Sequence, residues 1–290
     1  MSTETTHERY YVPHDSHWPI VGAVGLLLTM VGVSSWLNGS DPAFWVFMAG
    51  IGVMIFMVIG WFGTVIGENQ KGIYSDQVGI SFRMGMFWFI FSEVMFFAAF
   101  FGALFYARNM SIPWLGGDSN NFFTNLILWP GYESTWPTNG PGDMGGDYQI
   151  MGPFGLPLIN TAILLTSSVT VTIAHHALIA GHRGILKVFL ALTFLLGFVF
   201  VFLQAEEYIH AYKDLNLTME TGIYGSTFYL LTGFHGLHVT LGAIILLVVW
   251  IRTMIGHFTP KSHFAFEAAA WYWHFVDVVW VGLYVFVYWM

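Results

Sequence analysis

Seven stretches of this sequence are long, apolar and nearly free of charge: residues 19–37, 42–66, 80–107, 157–180, 185–209, 224–251 and 265–289. A helix needs about 20 mainly apolar residues to cross roughly 30 Å of hydrocarbon, and each stretch meets that length. The chain therefore reads as an all-α integral membrane protein with seven transmembrane helices. Composition excludes the competing classes. Charged residues make up 9% of the chain and hydrophobic residues 56%, whereas an ordinary soluble domain carries about 25% charged residues. With 9 Lys and Arg against 17 Asp and Glu, and no basic run, no surface for nucleic acid is expected. The absence of Cys rules out disulfides, thiolate zinc sites, iron–sulfur clusters and a Cys nucleophile.

The spans divide the chain into an N-terminal tail (1–18), a helix pair (19–66), a connection (67–79) and a five-helix group (80–290) that carries a long loop at 108–156. Residues 1–17 are polar, so the first span, rather than a cleavable leader, is expected to target the chain. Arg9, Lys71, Arg83, Arg183, Lys187, Arg252 and Lys261 fall on one side by alternation, and only Arg108 and Lys213 on the other. The positive-inside rule then places the N-terminus in the cytoplasm and the C-terminus outside. The 108–156 loop, with Gly pairs at 116–117 and 145–146, is long enough to be functional or an interaction surface. No internal repeat is visible, so inverted-repeat transporter architecture has no support.

Ionisable residues at membrane depth are costly and are functional candidates. Glu93 lies midway along the third span, with no cation within one helical turn. Two readings stay open: a proton-linked or lipid-facing carboxyl, and a neutral acid hydrogen-bonded to another helix. In the last span Glu267, Trp271 and His274 share a helical face. His274 and Asp277, three residues apart, are expected to form a buried structural pair. His175 and His176 are adjacent and point to different sides of their helix. His235 and His238 have a spacing that can place two imidazoles on one metal. The structural alternative explains more neighbours. Thr161, Ser168, Thr172 and His175 form one polar stripe, and Thr232, Gly236 and Thr240 a small-residue stripe. Both have the character of interhelical hydrogen-bonding and close-packing surfaces. His175, His235, His238, Glu267, His274 and Asp277 are thus read as structural polar groups, and no metal site is expected. No phosphate-binding, zinc-protease or serine-hydrolase motif occurs.

Longer patterns point further. Phe91-Ser92-Glu93-Val94-Met95-Phe96-Phe97, Leu158-Ile159-Asn160-Thr161 and Ala174-His175-His176 stand on the third and fourth spans. The block 223–240 contains Gly233-Phe234-His235-Gly236-Leu237-His238, and 264–280 contains Glu267-Ala268-Ala269-Ala270-Trp271-Tyr272-Trp273-His274. Together with residues 13–20, these resemble subunit III of the A-type haem-copper cytochrome c oxidases over nearly the whole chain. The exceptions are the extreme N-terminus and the 108–156 loop. Phe62-Gly63-Thr64 and Gly72-Ile73-Tyr74-Ser75 depart from residues common in that family.

The resemblance implies two helix groups, the first two spans and the last five, separated by a lipid-filled cleft. It implies a subunit with no haem, copper or catalytic centre of its own. Haem and copper are expected in partner subunits I and II, and cytochrome c donates electrons to the complex rather than to this chain. The assembly reduces oxygen to water and pumps protons; this subunit supports proton uptake and active-site stability. Glu93 is then the buried functional carboxylate, and Trp61, Glu68 and Arg252 are phospholipid contacts. His7, His14, His17, His182, His257 and His263 would gather on the inner face, near a proton-entry point. The implied location is the bacterial plasma membrane, ahead of the mitochondrial inner membrane. A quinol-oxidase third subunit is similar but lacks the first two spans. An independent proton-coupled transporter would use Glu93, His274 and Asp277 as a relay.

Overall fold

A computed structural model describes residues 15–290; Arg9, His7 and His14 lie outside the described residues. Among them, seven helices are long and apolar enough to cross a membrane. They are α1 (Trp18–Leu37), α2 (Ala43–Gln70), α3 (Asp76–Leu115), α4 (Leu156–Ile179), α5 (Arg183–Asp214), α6 (Gly222–Ile255) and α7 (Phe264–Trp289). No strand is present among the described residues. Helix α1 starts at Trp18-Pro19, where a missing N–H costs nothing in the first turn. It stops at Asn38-Gly39, and Gly39 takes a left-handed φ of 89°. Gly256, at φ 90°, ends α6 the same way.

The helices overrun several of the hydropathy limits. Of the expected 67–79 connection, only residues 71–75 lie outside helices. The third helix begins at Asp76 and continues through a π-helical turn, Ala107–Ser111, to Leu115. The helix therefore outruns the apolar stretch 80–107 at both ends. A helical backbone satisfies its own hydrogen bonds, so it persists into the headgroup layer where side-chain hydropathy has already fallen.

The chain divides into two compact units, one ending at Phe82 and the other spanning Arg83–Met290. In the first, α1 and α2 form an antiparallel hairpin. Among the described residues of α1 only Gly25 and Gly32 are buried, and of α2 only Ala43 and Gly50. Small residues let the two backbones approach, which is how helices associate where lipid removes the hydrophobic drive. Trp18 Nε1 on α1 donates to Thr64 Oγ1 on α2 at 3.0 Å and ties the open end of the hairpin.

In the second unit the core is built by α4, α5, α6 and α7 around Leu164, Leu190, Phe200, Phe228, Val239 and Val276. Trp273 is its keystone. The indole is fully buried and its Nε1 donates to Ser167 Oγ on α4 at 2.9 Å. A methyl added at Gly197 on α5 would meet the ring at 2.6 Å, and one at Gly242 on α6 at 2.9 Å. One side chain of α7 is therefore seated on three other helices, and two of those contacts require glycine. The connection from α3 to α4 is also tied down. Gln149 N–H donates to Leu215 O at 2.8 Å, Asn216 Nδ2 to Asp147 O at 2.8 Å, and Tyr284 OH to Pro153 O at 3.2 Å.

Candidate functional site: a polar seam in the five-helix unit

The most chemically informative contact joins α3 to α6. Glu93 Oε2 lies 2.9 Å from His238 Nε2, and His238 Nδ1 lies 2.6 Å from Phe234 O. A carbonyl oxygen only accepts, so Nδ1 carries a proton and donates it. Nε2 and the carboxyl then share one further proton, held either on Glu93 as a neutral acid or on His238 as an imidazolium. Both forms are neutral overall, which is what a low-dielectric setting tolerates. Phe97 stands edge-on to the imidazole at 5.0 Å, and Tyr272 stacks parallel to it at 6.4 Å. Glu93 keeps 22% of its side-chain surface exposed and His238 keeps 11%, so the pair borders the unit's surface. Sequence reading identified Glu93 and left its partner open; of the two readings of Glu93, the structure supplies the hydrogen bond to another helix.

The polar stripe on α4 faces α7. Thr161 Oγ1 accepts from Trp280 Nε1 at 2.9 Å. Ser168 Oγ lies 2.6 Å from His274 Nδ1, and Thr172 Oγ1 lies 3.3 Å from His274 Nε2. His175 packs against His263 and Phe266, with ring centroids at 5.6 and 5.4 Å. Both ring nitrogens of His274 are thus engaged on α4. The expected direct His274–Asp277 pair is not formed: three residues along a helix bring the two near, but the imidazole is drawn to the hydroxyls opposite. Asp277 is buried, and its Oδ1 has no hydrogen-bond partner among the described residues.

His235 is fully buried. Its Nε2–H donates to Val276 O at 3.1 Å, while its ring lies against Trp280 at 5.0 Å. His235 and His238 therefore turn to different partners and do not converge on one point. The stripe on α6 is only partly as expected. Thr232 reaches Tyr208 OH on α5 at 2.7 Å, but among the described residues nothing comes within 4 Å of a methyl placed at Gly236. The close approach of helices falls at Gly242 instead.

Glu267 also needs correction. It is not a buried polar group but half of an ion pair, with Arg83 Nη2 at 3.0 Å and Nε at 3.1 Å from its Oε2. The side chains are 45% (Arg83) and 17% (Glu267) exposed. The positive-inside alternation had placed Arg83 and the start of the last span on one side of the membrane, and that was the available signal. Sequence reading passed over Glu207 altogether. It is fully buried on α5, and its Oε1 accepts from Tyr288 OH on α7 at 2.6 Å. Its position near the end of the apolar run at 185–209 masked it.

The three expected lipid contacts differ in setting. Trp61 is half-exposed on α2. Glu68 accepts from Tyr74 OH at 2.7 Å. Arg252 is buried, with its guanidinium 4.6 Å above the Phe258 ring, whose backbone carbonyl accepts from Arg183 Nη2 at 2.6 Å. Among the histidines expected on the inner face, His17 and His182 are exposed, His257 is half-buried and His263 is turned onto His175.

These features define a class: a multi-pass helical membrane protein whose intramembrane acids and imidazoles are engaged mainly between helices. The comparisons carry this to a family. The sequence model of cytochrome c oxidase subunit III matches residues 7–290. The protein named "Cytochrome c oxidase subunit 3" in Danio rerio is 42% identical over 281 residues, covering 97% of this chain and 96% of its own length. Its namesake in Drosophila melanogaster is 41% identical over 290 residues, covering 100% of this chain and 99% of its own length. The one in Oryctolagus cuniculus is 39% identical over 288 residues, covering 99% and 98%. The chain belongs to the cytochrome c oxidase subunit III family, and is in that sense one part of an oxidase complex in the respiratory chain.

Proposed function

We propose that this chain is the non-redox core subunit of a proton-pumping cytochrome c oxidase. It supports proton uptake, holds phospholipid and protects the active site of subunit I while oxygen is reduced to water. The observation that carries the subunit's identity is the match along nearly the full length of both this chain and its named relatives. Haem and copper reside in subunits I and II, which are its partners, and cytochrome c delivers electrons to the complex elsewhere. The N-terminus lies on the cytoplasmic side of a bacterial plasma membrane.

The supporting role in proton uptake rests on groups that hold protons at neutral net charge. The Glu93 carboxyl and the His238 imidazole are hydrogen-bonded at 2.9 Å, and His17 and His182 are exposed. Lipid binding rests on the half-exposed Trp61 and on Glu68 of the first unit; Arg252 of the second is buried over Phe258, so it would bear on a headgroup as a positive charge behind that ring rather than as a direct bidentate contact. The test compares the oxidase with and without this subunit, from acid to alkaline pH. Haem content and initial oxygen chemistry should be equal. Without the subunit, proton uptake should slow at alkaline pH and activity should decay faster with turnover. Equal rates and equal lifetimes across that range would overturn the reading.

A further inference from the structure

The segment that follows α3 has a composition unlike a water-exposed loop. Between Asp118 and Glu133 there is no charged residue. Within it Phe122, Phe123, Leu126, Ile127 and Leu128 are 60%, 66%, 54%, 68% and 64% exposed. A cluster this apolar marks an interaction surface or an aggregation hazard when it faces water.

The segment is held rigidly. Thr124–Leu128 forms a single π-helical turn, and Asn125 points back from it. The Asn125 amide donates to Leu115 O at 3.3 Å, Trp129 O at 3.2 Å and Tyr132 O at 3.0 Å. The reversal that returns the chain onto the helix end passes through Gly117 at φ 95°, with the Asn125 Cβ 3.0 Å from where a Gly117 methyl would stand. Asn125 is thereby turned inward, while Leu126, Ile127 and Leu128 of the turn face out.

What lies under it fixes the partner. Tyr106, Met110 and Trp114 follow one another at four-residue spacing along α3, all exposed, and Tyr106 and Trp114 meet edge to face at 5.9 Å. This strip runs from the membrane-spanning part of α3 to the turn against which the segment is folded. Arg108, the first charged residue after the apolar run 80–107, stands on the same stretch. Trp114 and Trp129 flank the segment, and aromatic rings of this kind settle at the headgroup level.

We propose that residues 122–129 form an interfacial anchor. They lie in the bilayer surface at which α3 ends, with Phe122, Phe123, Ile127 and Leu128 inserted at the boundary between phospholipid headgroups and acyl chains. The occupant of this apolar face is lipid. The face continues the lipid-facing strip of α3, carries no charge for a protein partner to pair with, and is flanked by indoles. It would hold the α3–α4 connection flat against the membrane and fix the height of α3 in the bilayer.

The chain has no Cys, so single thiols can be introduced without background from this subunit. Phe123→Cys and Ile127→Cys, made separately in the oxidase complex, carry a nitroxide in phosphatidylcholine–phosphatidylglycerol nanodiscs. Phe105→Cys on α3 serves as the lipid reference and Asp214→Cys as the water reference. At 123 and 127, oxygen should relax the nitroxide more than a water-soluble nickel chelate does, as at 105. Stronger relaxation by the chelate, as at 214, would overturn the proposal in favour of a solvated loop. Protection from both agents would overturn it in favour of a protein partner. A second measurement leaves the chain unaltered: a phosphatidylcholine bearing a diazirine on its acyl chain is photolysed with the wild-type complex. Adducts on the 119–132 peptide support the anchor; adducts on α3 alone refute it.

Discussion

The seat of Trp273 makes a quantitative prediction about which glycines of the five-helix unit matter. Gly197→Ala would set a methyl 2.6 Å from the buried ring and 3.2 Å from the Ala243 Cβ, so both neighbours must move. The indole cannot simply swing away, because its Nε1 is committed to Ser167 and the α6 backbone lies so close on the other side that a methyl added at Gly242 would stand 2.9 Å from the ring. Overpacking of this kind costs about 1–3 kcal/mol. Gly236→Ala is the matched control. It sits within the same helical bundle, on α6, but nothing among the described residues comes within 4 Å of the added methyl. Replacing a mid-helix glycine by alanine removes backbone freedom from the unfolded chain and should be neutral or stabilising, by up to about 1 kcal/mol. The assay is SDS-titrated unfolding of the purified chain in mixed micelles, followed by far-ultraviolet circular dichroism. The midpoint should fall for Gly197→Ala and hold or rise for Gly236→Ala. Equal losses in both variants, or none at Gly197, would refute the account of Trp273 as the element that locks α5, α6 and α7 together.

Other contacts give sharper or weaker expectations. Glu207→Leu strands the Tyr288 hydroxyl in the core and should cost about 1–3 kcal/mol in the same titration; Glu207→Gln keeps an acceptor and should cost much less. His274→Phe removes the bond to Ser168 and should cost about 0.6 kcal/mol, at most about 1.7, the range found for hydrogen bonds between membrane helices. Arg83→Ala should cost no more than about 1 kcal/mol, because the ion pair with Glu267 is half-exposed, and the loss should shrink further when the titration is run in high salt. Tyr148, in the loop beyond the spans, has its phenol pushed up to about 12, first by burial and then by Tyr132. A raised phenol holds its proton longer in the folded chain, so its contribution is intact below pH 10 and is lost as the pH rises towards 12. An ultraviolet tyrosinate titration of wild type against Tyr148→Phe should show one phenol ionising in that late window.

The sequence was readable wherever the physics is local. Hydrocarbon thickness sets the length of an apolar run, so all seven spans were legible. Their ends were less so, because hydropathy reports the hydrocarbon while the helix continues beyond it, as α2 does to Gln70 and α3 to Leu115. Helical spacing was legible too: Thr161, Ser168, Thr172 and His175 do share a face, and that face meets α7 and the His263 that precedes it. The same logic misplaced the close contact on α6. Small residues at regular spacing show where a neighbour can approach, not where one does. Among the described residues nothing stands within 4 Å of a methyl added at Gly236, whereas one at Gly242 would meet Trp273.

What spacing cannot reveal is a partner from a distant part of the chain, and the intramembrane acids depended on such partners. Glu93 finds His238 145 residues away, Glu267 finds Arg83 184 away, and Glu207 finds Tyr288 81 away. Each solution differs with depth. At the unit's edge Glu267 keeps a full charge and takes a cation. Deeper, Glu93 takes an imidazole, so that one proton neutralises both groups wherever it sits. Fully buried, Glu207 has only a phenol, which can donate but cannot supply a charge. Of the three, only the Glu93 pair has two proton arrangements of equal net charge, and it borders the unit's surface. That distinction, rather than burial alone, separates Glu93, whose imidazole partner can carry the shared proton, from Glu207, which is a fixed bolt between α5 and α7.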